Sequence, residues 1–338
     1  MEKTISRPGL SALLEKLRGS RALLVIAIAV GVLISFLTNG DITTAVLSSA
    51  LRQSTPLVLG ALCGLLGERS GVINIGIEGQ MLMAAFMGFL ANVYTGNLII
   101  AVTVGVLTGA LLGALLAFMS VTLKMDQIIG GTVINILALG LTSFFYQQGL
   151  TTHGKLQPIE LGPLADLPVI GRVLFSNPPI TYASLILIFV VHYVLFYTRW
   201  GLRTRAVGEH PGAADTVGIN VKMVRYINVI IGGGIAGLAG AYLTLEAVGS
   251  FERAMTNGRG FVALAVMIFG KWTPLGAWGA ALLFGFASAL QTQLQFGGSS
   301  IPHQFIGMLP YFLTIVVLAG VGGRSRPPAA VGKLYQPE

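Results

Sequence analysis

"GERSGVINIGIEGQMLM", residues 67–83, places Glu68, Arg69, Asn74, Glu78 and Gln80 within thirteen residues, between two long apolar segments. A charged residue at the centre of a membrane helix costs roughly 2.5–3.5 kcal/mol, whereas each Leu or Ile gains about 0.3–0.6 kcal/mol. One misplaced carboxylate therefore cancels about six apolar residues. Such groups persist where they face a protein interior or a water-filled cavity. Read as one helix, the stretch puts Asn74 and Glu78 on a shared face and Gly76 and Gly79 on another. Glu68 and Arg69 fall at the boundary of the apolar region. Two readings stay open for Asn74 and Glu78: hydrogen bonds that hold a neighbouring helix, or the lining of a pore.

The rest of the chain fits a membrane setting. It has 338 residues, of which 54% are hydrophobic and 10% charged, with 45 glycines and a mean hydropathy of +0.79. Soluble domains carry about a quarter charged residues. Glycine is frequent in membrane helices because it allows close backbone packing. The net charge of +8 does not point to nucleic acid, because its placement is one-sided. Of the 21 Lys and Arg, sixteen fall in segments assigned to the cytoplasmic side, including five before residue 22 and five between Arg199 and Arg225. This is the positive-inside pattern. The single cysteine, Cys63, excludes an internal disulfide, and His153, His192, His210 and His303 lack ligand spacing. No metal site, catalytic residue or bound cofactor is expected.

Apolar periodicity and length predict an all-α integral membrane protein of about ten passages. A basic cytoplasmic segment, 1–21, leads into a permease domain over 22–322, and 323–338 form a cytoplasmic tail. Passages are placed near 22–37, 43–66, 71–93, 98–121, 127–146, 180–197, 226–245, 275–295 and 305–321. The run "FVALAVMIFG" at 261–270 is too short for a straight span at about 1.5 Å per residue. It reads as a half-helix or as a helix that starts in the preceding loop. A Pro- and Gly-rich stretch, 147–179, is placed outside and a basic loop, 198–225, inside. An even count puts both termini in the cytoplasm. Residues 68–88 and 252–270 share a Glu-Arg start, a glycine-rich turn and a Met-containing apolar run. Entering from opposite sides, they suggest an inverted internal repeat.

The fifth passage carries Gln127, Gly131, Asn135, Thr142 and Tyr146 along one face, with Phe145 beside them. It reads as interhelical hydrogen bonding or as one wall of a translocation path, and the length of the stripe favours the path. In 205–226, Pro211 suits a first helical position, with Glu209 just before it. Ala213, Ala214 and Asp215 continue a short helix, Gly218 ends it, and Asn220 caps the next. Such a helix between two spans suits docking of a soluble partner. The chain has no Walker A pattern, so energy coupled to ATP must come from another polypeptide.

Four stretches, "ERSGVINIGIEGQMLM" (68–83), "GGTVINILALG" (130–140), "AVGEHPGAADTVGINVKMVRY" (206–226) and "GRGFVALAVMIFGKWTPLGA" (258–277), resemble one family. It is the permease subunit of bacterial ABC importers for simple sugars and nucleosides, with branched-chain amino-acid permeases as more distant relatives. The resemblance runs from about residue 40 to 322 and is nearest to the nucleoside branch. It implies a multi-pass protein of the bacterial plasma membrane that forms half of a pore with a second, related permease, as a heterodimer in preference to a homodimer. It further implies ATPase subunits that bind ATP and Mg, and an extracellular substrate-binding lipoprotein. The ATPase-docking loop of the family maps onto Glu209–Asn220, where Gly212 stands in place of the acidic residue expected before the alanines. The implied activity is nucleoside import. The alternatives are import of a simple sugar such as ribose, and an ion-coupled secondary transporter using carboxylates such as Glu78 and Glu246.

Overall fold

A computed structural model describes residues 39–167, 170–296, 305, 307–308 and 326–336. The basic lead-in at 1–21, the passage at 22–37 and most of that at 305–321 lie outside the described residues. The described chain is mostly helical. In order come α1 (Gly40–Arg69), α2 (Ile77–Thr95), α3 (Leu98–Ala117), α4 (Gln127–Phe144), α5 (Ile170–Leu174) and α6 (Pro179–Tyr197). Then follow α7 (Arg199–Glu209), α8 (Pro211–Thr216), α9 (Val221–Ala241), α10 (Arg259–Phe269) and α11 (Pro274–Phe296). Wider π-type turns extend α3 over Phe118–Thr122 and α9 over Tyr242–Val248. In the stretch 147–179, two short strands, β1 (Ile159–Glu160) and β2 (Ser176–Asn177), pair antiparallel. Among the described residues, five helical stretches are long and apolar enough to cross a membrane: Leu98–Thr122, Gln127–Phe144, Pro179–Tyr197, Val221–Val248 and Pro274–Gln295.

α1 is the centre of the bundle. Its 30 residues span about 45 Å, and Leu59, Leu62 and Leu65 are fully buried among α9, α10 and α11. Pro56 lies inside it and cannot donate to the Arg52 carbonyl four residues earlier. The Tyr242 hydroxyl donates to that carbonyl instead, at 2.6 Å. An orphaned carbonyl in an apolar interior is thus satisfied by a neighbouring helix.

Glycines allow α3 and α9 to meet backbone to backbone. A Cβ on Gly109 of α3 would lie 2.3 Å from the Gly233 carbonyl oxygen of α9, and one on Gly233 would lie 2.4 Å from the Gly109 oxygen. Helices that approach this closely gain dispersion contacts along their backbones. On the opposite side, α3 and α4 expose Leu107, Leu111, Ile136 and Phe144. Such apolar faces are stable only against lipid or another protein.

The expected span at 71–93 begins six residues later, at Ile77. After α1, Gly71 takes φ +89°, Val72 N–H donates to Gly67 O, and Gly71 N–H donates to Glu68 O. That pair of bonds is the Schellman stop. Asn74 therefore precedes α2 and does not share a helix face with Glu78. The basic loop also contains a helix that its composition concealed, α7, capped by Thr198, whose hydroxyl accepts the Gly201 N–H at 3.2 Å. In contrast, α6 and α11 start within a residue of the expected positions, and α4 starts on Gln127 as read.

Candidate functional site

The break between α1 and α2 brings together most of the polar residues singled out above. Asn74 is buried; its Nδ2 donates to Gln80 Oε1 at 3.0 Å and contacts Cys63 Sγ at 3.3 Å. The Gln127 side chain accepts the Ile73 N–H at 2.6 Å. Asn135 acts as a splint: Oδ1 accepts the Gly79 N–H at 2.7 Å, and Nδ2 donates to the Ile75 carbonyl at 3.1 Å. Without Asn135, both backbone groups of the break would be left without these partners, at a cost of about 1–3 kcal/mol for each unsatisfied buried group. Gly131 allows the approach, because a Cβ there would lie 2.7 Å from Gly76 N.

The start of α2 meets the start of α10. Glu78 Oε1 accepts the Gly258 N–H at 2.8 Å, and Oε2 accepts the Gly260 N–H at 2.6 Å. The carboxylate binds two of the N–H groups that a helix leaves unpaired at its first turn and faces the positive end of its dipole. α10 has 11 residues and spans about 16 Å, half the thickness of a bilayer core. The loop before it puts Ala254, Asn257 and Gly258 at positive φ, the special turn that aims α10 inward. A second carboxylate repeats the arrangement. Glu246 accepts the Ile180 N–H at 2.7 Å, the Thr181 hydroxyl at 2.5 Å and the Thr181 N–H at 3.2 Å, all at the start of α6.

The far end of α10 is held by the Glu-Arg pair of the opening stretch. Trp272 Nε1 donates to Glu68 Oε2 at 2.5 Å, and Arg69 donates twice to the Trp272 carbonyl, at 2.6 and 2.9 Å. These bonds fix a turn in which Lys271 and Trp272 both have positive φ. The sequence reading had not singled out Trp272.

Beside the start of α10 lies a cavity of about 650 Å³ between α1, α10 and α11. Gln53, Asn257, Arg259, Ser288 and Gln291 give it polar groups, and Phe261 and Phe284 give it aromatic surface. None of Asn74, Glu78, Gln127, Asn135, Thr142, Phe145 and Tyr146 is among its lining residues. Thr142 donates to Ala138 O of its own helix. Phe145 is exposed and packs edge-on against Phe144, and Tyr146 lies under the Arg253 guanidinium, 5.0 Å from the ring centre.

At the other end of the bundle, α7, α8 and the start of α9 form a small layer around Val207, Ala214, Val221 and Val224. Pro211 opens α8, Val217 closes it and Gly218 turns away at φ +79°. The Asn220 side chain accepts the Met223 N–H at 2.9 Å and caps α9. Ala213 faces solvent while Ala214 is buried. Glu209 and Asp215, both exposed, bond to the segment 326–336: Ala329 N–H to Glu209 Oε2 at 3.1 Å, and Tyr335 Oη to Asp215 Oδ2 at 2.6 Å.

The profile of the family described as "Branched-chain amino acid transport system / permease component" matches residues 46–318. The chain is 39% identical over 319 residues to the guanosine ABC transporter permease protein NupQ of Bacillus subtilis, covering 87% of this chain and 97% of that protein. It is 38% identical over 305 residues to the nucleoside ABC transporter permease protein NupC of Lactococcus lactis, covering 86% and 96%. It is also 39% identical over 254 residues to the putative glucose ABC transporter permease protein TsgC13 of Haloferax volcanii, covering 74% and 77%.

Proposed function

This chain belongs to the permease-component family of the branched-chain amino acid transport systems, and we propose that within it the chain carries nucleosides across the membrane. The observation that carries this reading is its similarity, over at least 86% of its length, to permeases named for guanosine and for nucleosides. The chain is a transport subunit and a multi-pass membrane protein; ATP hydrolysis belongs to partner subunits, and a substrate-binding protein completes such a system. The glucose-named relative, at equal identity over 74% of the chain, favours a sugar as the second reading.

The cavity beside α10 suits the first. Amides at Gln53, Asn257 and Gln291 offer donors and acceptors for a base edge, and Phe261 offers a stacking face. In this reading Gln127 and Asn135 serve the path indirectly, by holding the α1–α2 break, and Asn74 and Glu78 fix the two helix starts that border it. Thr142, Phe145 and Tyr146 belong to the outer end of the same wall. Both carboxylates that an ion-coupled transporter would use are engaged with helix N–H groups, which supports the ATP-driven reading.

The finer topology is part of the proposal. Ten passages run through a domain at 22–322, with 1–21, the loop 198–225 and 323–338 on the cytoplasmic side of a bacterial plasma membrane. The outer stretch is 147–179. The two glycine-rich segments, each leading to a helix whose start meets the other, support an inverted repeat. The exposed apolar faces of α3 and α4 suit lipid and a second, related permease in a heterodimer. α8, with Glu209, Pro211, Ala213, Ala214, Asp215, Gly218 and Asn220, forms the docking site for an ATPase that binds ATP and Mg.

The test is uptake of radiolabelled guanosine into proteoliposomes holding the complete transporter, competed with unlabelled uridine, adenosine or ribose. Competition by the nucleosides is expected. Uptake blocked by ribose and indifferent to nucleosides would replace the nucleoside with a sugar. Removal of residues 211–217 is expected to release the ATPase; an ATPase that stays bound would move the docking site elsewhere.

A further inference from the structure

Segment 326–336 touches both the α7–α8 layer and the break between α1 and α2, beside the direct contact that Gly208 of α7 makes with the Arg69 carbonyl at the end of α1. At one end the Tyr335 hydroxyl bonds the Asp215 carboxylate of α8 at 2.6 Å, and its ring packs on the small core under α7 and α8. Further along, Ala330 N–H donates to Gly208 O at 2.9 Å, and Ala330 is itself buried. Between these two contacts, Gly332 N–H donates to Gly71 O at 3.2 Å. Gly332 has φ +75°, and a Cβ there would lie 2.9 Å from the Ile73 side chain. Gly71 and Ile73 belong to the break between α1 and α2.

Arg225 locks the crossing. It is 2% exposed, and its guanidinium donates to Lys333 O at 3.1 Å and to Ser70 O at 3.2 Å. One buried cation of α9 thus holds the crossing segment and the break together. Beyond Gly71, further residues of the break and of the start of α2 are tied to α4 and α10. Ile73 is bound to Gln127, Ile75 and Gly79 to Asn135, and Glu78 to the first turn of α10.

We propose that segment 326–336 is a coupling strap that makes α8 and the α1–α2 break move as one body. A displacement of the docking helix is thereby delivered to the joint of α2 and α10. α8 has only six residues, and the strap adds a bond at Asp215 to its packing against α7 and α9. Packed elements with discrete arrangements transmit such displacements, and coupling along connected residues changes by amounts that substitutions can measure. The proposal rests on the reading of α8 as the ATPase-docking helix.

Two variants of the complete transporter test it in proteoliposomes: a chain ending after Arg326, and Tyr335→Phe. Nucleoside uptake, ATP hydrolysis and retention of the ATPase are measured on the same preparations. The expected result is an assembled complex that hydrolyses ATP at close to its normal rate. Transport per ATP falls roughly tenfold in the truncated chain and about threefold in Tyr335→Phe, within the range that coupling substitutions produce. Unchanged transport per ATP in Tyr335→Phe and in any truncated chain that assembles would overturn the strap. So would loss of uptake and of hydrolysis in equal proportion, which would mark a segment that only holds the fold. Should the truncated chain fail to assemble, Tyr335→Phe alone decides. An ATPase that stays bound after removal of 211–217 would reject the docking reading whatever the strap variants do.

Discussion

The Glu78 carboxylate and the Gly260 amide meet at 2.6 Å, across 182 residues of sequence. With Gly258 on the other oxygen, this contact joins the starts of two helices and pairs two N–H groups at the start of α10. A Cβ on Gly260 would lie 2.5 Å from Glu78 N, so the two backbones pack too closely for any side chain at this position.

Replacing Glu78 by Ala removes both acceptors. Hydrogen bonds to charged groups contribute about 1.5–3 kcal/mol each, so a loss of roughly 3–6 kcal/mol is expected, read as a lower unfolding temperature of the purified complex. Glu78→Gln keeps one acceptor and loses less. It also distinguishes a cap from a proton carrier, because the pH profile of uptake should keep its shape in Glu78→Gln.

Gly109→Val inserts a branched side chain where even a Cβ lies 2.3 Å from the Gly233 oxygen. Overpacking costs typically 1–3 kcal/mol, and here backbone, not a flexible side chain, would have to move. The expected outcome is poor assembly or a marked drop in unfolding temperature. Gly140→Ala, where nothing lies within 4 Å, is the control. It should be neutral or stabilising by up to about 1 kcal/mol.

Trp272→Phe keeps the aromatic volume and removes the donor to Glu68. Glu68 is 7% exposed, so an unsatisfied carboxylate oxygen should cost about 1–3 kcal/mol. Adding Glu68→Gln should recover part of that loss. Thermal unfolding of the two single variants and the double variant measures the interaction directly.

Phe261→Ala and Gln291→Leu alter the cavity wall while leaving the α2–α10 joint intact. Base–aromatic stacking is worth about 1–3 kcal/mol, so Phe261→Ala should raise the KM of nucleoside uptake by roughly tenfold. Equal KM values for variant and wild type would move the substrate away from this wall.

Much of the helical frame is legible from the residues. The bounds of α4, α6 and α11 follow from apolar run length and from local caps such as Asp126, whose carboxylate accepts the N–H groups of Ile128 and Ile129. The short helix at 211–216 is legible for the same reason, since Pro211, Gly218 and Asn220 act on neighbouring backbone. What could not be read is long-range. Asn135 and Gln127 fit a polar stripe equally well whether they meet water or the backbone of residues 73–79. Gly71 signalled a possible stop, but glycines are too frequent in this chain to single it out. α7 was hidden because its arginines mask a short amphipathic helix, and Arg225 and Tyr335 carry no local signature of the segment they hold.

Cys63 sits at the crossing of α1 with the Asn74–Gln80 pair, fully enclosed. Because it is the chain's sole thiol and out of reach of reagents, the wild-type protein is already a silent background for labelling. Cysteines placed together at Ala329 on the strap and Ala213 on α8 would be the two labelled positions, with no background from Cys63. The distance between the two, followed through the ATP cycle, can then be recorded without rebuilding the interior.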